Sequence, residues 1–145
     1  MNKTLAILTI STTIMASTNV FAQTKDYYKC INASNGFDDG YAKCYMEETN
    51  RDTSRIDTMY KRLSSDTRFS KWNNGNGMFK GKFKDMQVAW INYRNHFCSL
   101  YAEIYSAYDG SSYSFHQADC MMKLGRQHAN EMEDLWQTSF SKIEG

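Results

Sequence analysis

The chain contains no proline, in a length of 145 residues where average composition would place several. Architectures built from strands and tight turns rarely go without it, whereas long uninterrupted helices require that absence in their interiors. A net charge is also missing: 17 basic residues face 16 acidic ones. Nucleic acid as a general partner is therefore excluded, because phosphate binding needs a basic excess to displace counterions. No C-x-x-C spacing occurs among Cys30, Cys44, Cys98 and Cys120, which sets redox catalysis and zinc aside. Apart from the first residues, no apolar run approaches the roughly 20 residues a membrane span needs. H-E-x-x-H, G-x-S-x-G, phosphate-loop and dinucleotide fingerprints are absent as well.

Residues 1–22, MNKTLAILTISTTIMASTNVFA, carry one early lysine, an apolar run broken by Ser and Thr, and Val20-Phe21-Ala22. This reads as a secretory signal peptide cleaved before Gln23, with no cysteine there to take a lipid. Loss of Lys3 brings the remaining chain to zero formal charge. Residues 23–145 are then one exported domain, periplasmic or secreted, without membrane insertion.

An even number of cysteines in an exported chain implies two disulfides, and four cysteines allow three pairings. The expected pairing is Cys30–Cys44 with Cys98–Cys120, since each clips one helix to the next.

Between Phe83 and Ile104 the large apolar residues fall at Phe83, Met86, Trp90, Tyr93, Phe97, Leu100 and Ile104, in steps of three and four. They predict one face of a long helix turned toward the core. Tyr41, Cys44, Tyr45, Ile56, Met59, Tyr60 and Leu63 suggest a second helix whose middle, EETNRDTSR, is polar on nearly every face. A third spans Phe115 to Phe140, with Ala118, Met122, Gly125, Ala129, Met132 and Trp136 on one stripe. A short helix near Asp26–Ile31 precedes them. Connections rich in Gly, Asn and Ser occur at Asn32–Gly40, Asn73–Gly81 and Tyr108–Ser114. The expected fold is all-α: a small antiparallel bundle of three long helices plus a short N-terminal one, pinned by two disulfides.

Few residues suggest chemistry. His96, His116 and His128 have no second ligand at metal-site spacing, so neither a metal nor a cofactor is implied. Asp38/Asp39, Glu47/Glu48 and Glu133/Asp134 read as solvated surface rather than an acid and base pair, and no catalytic residue is assigned. Gln87, Trp90 and Arg94 share one helix surface, a grouping that suits the fixing of helix register.

The stretch Gln87, Trp90, Tyr93, Arg94 and Cys98 resembles, at every spacing, the Gln-x-x-Trp-x-x-Tyr-Arg-x-x-x-Cys motif of the lysozyme-inhibitor LprI-like N-terminal domain family of small exported bacterial domains. Cys30 and Cys44, the Thr53–Tyr60 element, Gly110-Ser111, and Cys120, Leu124 and Glu131 extend the resemblance from about Cys30 to Leu135, nearly all of the chain after the signal segment. Departures are Ile56-Asp57 for Leu-Asn, Gly125 for Thr and His128 for Arg. The resemblance implies a helical fold and a non-enzyme that inhibits lysozyme.

A protein partner, a lysozyme or another peptidoglycan hydrolase, is accordingly expected. Its contacts are expected on Tyr108, Asp109, Ser111, Ser112 and Tyr113, a loop whose ends a Cys98–Cys120 bridge holds, with Lys80 and Lys82 as a second site. Two alternatives are a periplasmic immunity protein against a rival's cell-wall hydrolase and an envelope accessory domain without inhibitory activity.

Overall fold

A computed structural model describes residues 24–65 and 78–141. The signal-peptide segment 1–22, the first part of the Asn73–Gly81 connection and the Leu63 side chain lie outside the described residues. Four helices account for nearly all of the rest: α1 (Lys25–Ala33), α2 (Asp38–Ser65), α3 (Met78–Asp109) and α4 (Tyr113–Ser141). There is no strand among the described residues. The disulfides join Cys30 to Cys44 and Cys98 to Cys120, as expected from the order of the helices.

The helix ends follow local chemistry. Thr24 caps α1, its Oγ1 accepting from the Tyr27 N–H at 3.1 Å. Asn35 and Gly36 then take left-handed backbone angles and turn the chain. Gly40 is needed on the far side of that turn, because a Cβ there would lie 2.8 Å from both the Cβ and the carbonyl oxygen of Ser34. Asp38 and Asp39 oppose the positive end of the α2 dipole. With no proline to interrupt them, α2, α3 and α4 run for 28, 32 and 29 residues.

Consecutive helices are antiparallel, as the two disulfides and the Gln87–His128 contact require. The most extensive contact, however, is between α2 and α4, which run parallel. Arg126 of α4 meets Glu48 and Asp52 of α2, and one turn onward Asn130 and Glu133 meet Arg55. Helix α4 therefore lies between the other two, while α2 and α3 barely touch, chiefly where the Tyr60 and Phe83 rings stack at 4.5 Å. Ile56, Met59, Phe83, Ala129 and Met132 form the apolar core at that end. The α4 stripe expected from the sequence is buried from Ala118 through Met132.

Two expectations are corrected. The α3 stripe does not face the core: Phe83 is buried, but Met86, Tyr93, Phe97, Leu100 and Ile104 are exposed. Helix α3 instead turns Gln87, Cys98 and Ala102 toward α4, because the fully buried Cys98 must reach Cys120 and only a residue as small as Ala102 lets the backbones approach. The second correction concerns the polar middle of α2. Glu48, Thr49 and Asp52 are buried there, with Glu48 completely inaccessible. Glu48 Oε1 accepts from the Thr24 N–H at 3.1 Å and from Arg126, and Oε2 accepts from Thr24 Oγ1 and Arg51 Nε, each at 2.8 Å. Asp52 accepts from Arg126 Nε at 2.8 Å and from Arg55 Nη1 at 3.0 Å. What reads as a solvated face is the ionic seam between α2 and α4, and Glu133 belongs to it through Arg55.

Candidate functional site

One end of the molecule is built from two turns in contact. Gly110, at φ +75°, lets the chain reverse between α3 and α4 with only Gly110, Ser111 and Ser112 outside the helices. Ser112 caps α4, its Oγ accepting from the Phe115 N–H, while its own N–H donates to Asp38 Oδ2 at 2.7 Å. That bond ties the α3–α4 turn to the start of α2. Asp109 accepts from the Ser111 N–H and faces His116 Nε2 at 2.9 Å. The hydrogen bond from His116, then that from the Ser111 backbone, hold the Asp109 carboxyl below the usual carboxylate range. The Tyr113 hydroxyl bonds Ser99 across the helix pair at 2.8 Å.

The turn is thus rigid, with Asp109, Ser112 and Tyr113 committed to holding it. Tyr108 is not so used and stands 87% exposed. At the same end of the bundle, on the turn that precedes Asp38, Phe37 is 73% exposed. Sequence reasoning passed over Phe37, although a lone aromatic inside Asn32–Gly40 has no folding reason to be there. Lys80 and Lys82 are exposed but belong elsewhere: they lie near the opposite end of α3, roughly 40 Å from Tyr108 at 1.5 Å per helical residue. The two candidate patches are separate surfaces.

The Gln87–Arg94 group is assembled against α4. Trp90 is half-buried and stacks on His128 with ring centroids 4.2 Å apart and planes inclined by 15°. Gln87 hydrogen-bonds His128 Nε2 at 3.0 Å, and the Arg94 guanidinium lies 4.9 Å from the Trp90 ring centroid. Burial pulls the His128 pKa down, and the nearby Arg94 charge adds to this against an opposing pull from Glu131. The surroundings accordingly favour the neutral imidazole. Burial also lowers the Arg94 pKa, and no carboxylate pairs with it among the described residues. Tyr93 is exposed and takes no part in the cluster.

His128, at the position where the resemblance expects arginine, thus supplies the flat surface on which Trp90 packs. Because the indole keeps part of its surface in solvent, Trp90→Ala is expected to lower stability by about 2 kcal/mol, below the 3–5 of a fully enclosed aromatic. Urea unfolding followed by circular dichroism measures it. An unchanged midpoint would mean that the stack contributes nothing to folding.

No group of three His, Cys, Asp or Glu side chains able to hold a metal comes together among the described residues. None of the described helices is long and apolar enough to cross a membrane.

Comparison with known proteins gives one finding. The family model described as "Lysozyme inhibitor LprI" matches residues 30–132, from the first cysteine to the last buried methionine of α4. No curated protein and no solved structure matches.

Proposed function

The chain belongs to the lysozyme inhibitor LprI family, and from that premise we propose that it is an exported protein that binds and inhibits a peptidoglycan-degrading enzyme of the lysozyme type. The family match is the observation that carries this reading. Two disulfides suit an oxidising compartment such as the periplasm or the exterior. Residues 1–22 serve in this reading as the cleaved export signal, leaving 23–145 as the working domain.

The contact surface we assign is the end of the bundle formed by Tyr108–Tyr113 and the Phe37 turn. Glycosidases of this kind cleave with two carboxylates set in an open cleft. A blunt, rigid end with two projecting aromatic rings, Tyr108 and Phe37, can cover such a cleft without offering a glycosidic bond. Little flexibility is lost on docking, since the turn is already held by the Ser112–Asp38 bond and the adjoining Cys98–Cys120 bridge. Aromatic anchors that pass from solvent into a partner supply most of the binding energy in interfaces of this type.

The test is a titration of the oxidised protein against chicken-type, goose-type and invertebrate-type lysozymes in a cell-wall clearing assay. Saturable inhibition near one-to-one is expected with at least one of them. The double change Phe37→Ala and Tyr108→Ala should weaken that inhibition by roughly 100-fold, the effect of losing two anchors. Its melting temperature should stay the same, because neither ring is packed. Unaltered inhibition by this variant would move the contact away from the bundle end. Failure of the protein to inhibit any of the three enzymes would remove the lysozyme reading itself.

A further inference from the structure

The apolar stripe that α3 leaves in solvent has a regular period. Met86, Trp90, Tyr93, Phe97, Leu100 and Ile104 follow one another at steps of 4, 3, 4, 3 and 4. All but the half-buried Trp90 are 39–57% exposed. Alternation of three and four is the seam by which one helix supercoils around another, since 3.5 residues per repeat keeps a stripe facing its partner. Within the described chain Trp90 stacks part of its indole on His128 of α4, and the other five seam residues stay exposed: α3 meets α4 through Gln87, Trp90, Cys98 and Ala102, and α2 only at its beginning. An exposed row of large apolar side chains along one helix face is the kind of surface that marks an interaction site.

We propose that the outer face of α3 is the interface of a two-fold, antiparallel dimer of this chain. Self-complementarity of the seam supports a second copy as the occupant. With a two-fold axis beside Asn95, Met86 of one copy meets Ile104 of the other, Trp90 meets Leu100 and Tyr93 meets Phe97. Each layer sets an a-type position against a d-type one, as antiparallel helix pairs require. Two of the three layers match an aromatic ring with an aliphatic chain, or Met with Ile, so bulky side chains need not oppose their own copies.

Charge selects the same direction. The first ten residues of α3 carry Lys80, Lys82 and Lys84 against a single acid, Asp85. The last twelve carry Glu103 and Asp109 and no cation. Two copies side by side in parallel would oppose lysines to lysines, whereas the antiparallel pair brings the basic end of one beside the acidic end of the other. In that arrangement the two bundle ends, with Phe37 and Tyr108, point away from each other. The dimer is independent of whether those ends bind a hydrolase.

Sedimentation velocity of the oxidised protein between about 1 and 100 µM provides the test, with a monomer–dimer equilibrium expected in that range. Phe97→Glu with Leu100→Glu should raise the dissociation constant by roughly 100-fold or more while helical content is retained. Glu103→Lys, which sets a like charge beside the basic end of the other copy, should weaken the dimer. Direction is read separately with a short bis-maleimide, which sees introduced thiols alone because all four native cysteines are paired. His96→Cys, close to the axis, should link to its copy. Met86→Cys should not, because its copy lies roughly 27 Å away at 1.5 Å per residue. A monomer at 100 µM, a dimer indifferent to the two glutamates, or equal cross-linking at both positions would each overturn the proposal. A monomer whose stripe variants lose lysozyme inhibition would also overturn it, and would assign this face to the hydrolase.

Discussion

Replacing Arg126 by methionine should lower the stability of the protein by about 3 kcal/mol, toward the lower end of what breaking a buried ion pair costs. Arg126 is the cation that Glu48 and Asp52 share across the α2–α4 seam, and both carboxylates are inaccessible to water. Methionine has the right length and fills much of the same volume, so the loss is electrostatic rather than a cavity. The remaining bonds moderate it: Glu48 keeps Thr24 and Arg51, and Asp52 keeps Arg55. The measurement is urea unfolding at pH 7, with the corresponding fall in melting temperature expected at roughly 10–15 °C for a domain of this size. A loss under 1 kcal/mol would mean that water reaches the seam and the network is dispensable.

Acid should narrow the difference between the two proteins. Burial pushes the Glu48 carboxyl up, but hydrogen bonds from Arg51 and Thr24 and the Arg126 charge outweigh it and leave the pKa lowered. A lowered native pKa contributes stability that is fully present above the unfolded carboxylate value, near 4.3, and lost as pH falls through the native one. The advantage of the natural protein over Arg126→Met should therefore hold from pH 7 to about 5 and shrink below about 4.

The same seam explains why α2 was the least legible element. Its buried positions, Glu48, Thr49 and Asp52, are polar, and a polar residue matched to a partner on another helix cannot be told from a solvated one by its own sequence. The signal lay about 75 residues away in Arg126, a cation in the apolar stripe of α4. Helix α4 was legible because it is the central helix, and its apolar and small residues are buried as their period implies. In α3 the period was right and its direction was not. The exposed stripe is more regular than the buried one, so periodicity alone chose the wrong face, and the constraint that settles the matter is the covalent reach from Cys98 to Cys120. The bundle end was legible as a turn from Gly110, yet the sequence could not show that Ser112 and Asp109 are used within it. Nor could it place the Phe37 turn at the same end, since that depends on the Ser112–Asp38 contact between two turns.

Removing the Cys98–Cys120 bridge is the other large perturbation, and it should act differently from removing Cys30–Cys44. By loop length alone the two are nearly equal, about 3 kcal/mol each. Their surroundings separate them. Helix α1 has no buried residue and is attached mainly by its disulfide, the Thr24–Glu48 bonds and the Tyr27–Tyr45 ring contact. Without Cys30–Cys44 it can detach while α2, α3 and α4 remain packed, an opening of low cost rather than a global loss. Helix α3, by contrast, joins the rest through one face, and Cys98, Ala102 and Cys120 are the buried residues that close it at that end. Cys98→Ala with Cys120→Ala should therefore lower global stability by about 3 kcal/mol and speed amide hydrogen exchange along the second half of α3 and the start of α4. Cys30→Ala with Cys44→Ala should speed exchange chiefly in α1. Both losses should weaken inhibition, since Cys98–Cys120 braces the helix pair that carries Tyr108 and Cys30–Cys44 closes the loop that carries Phe37. Equal effects of the two bridges on exchange in α3 would show that its single packed face holds without covalent help.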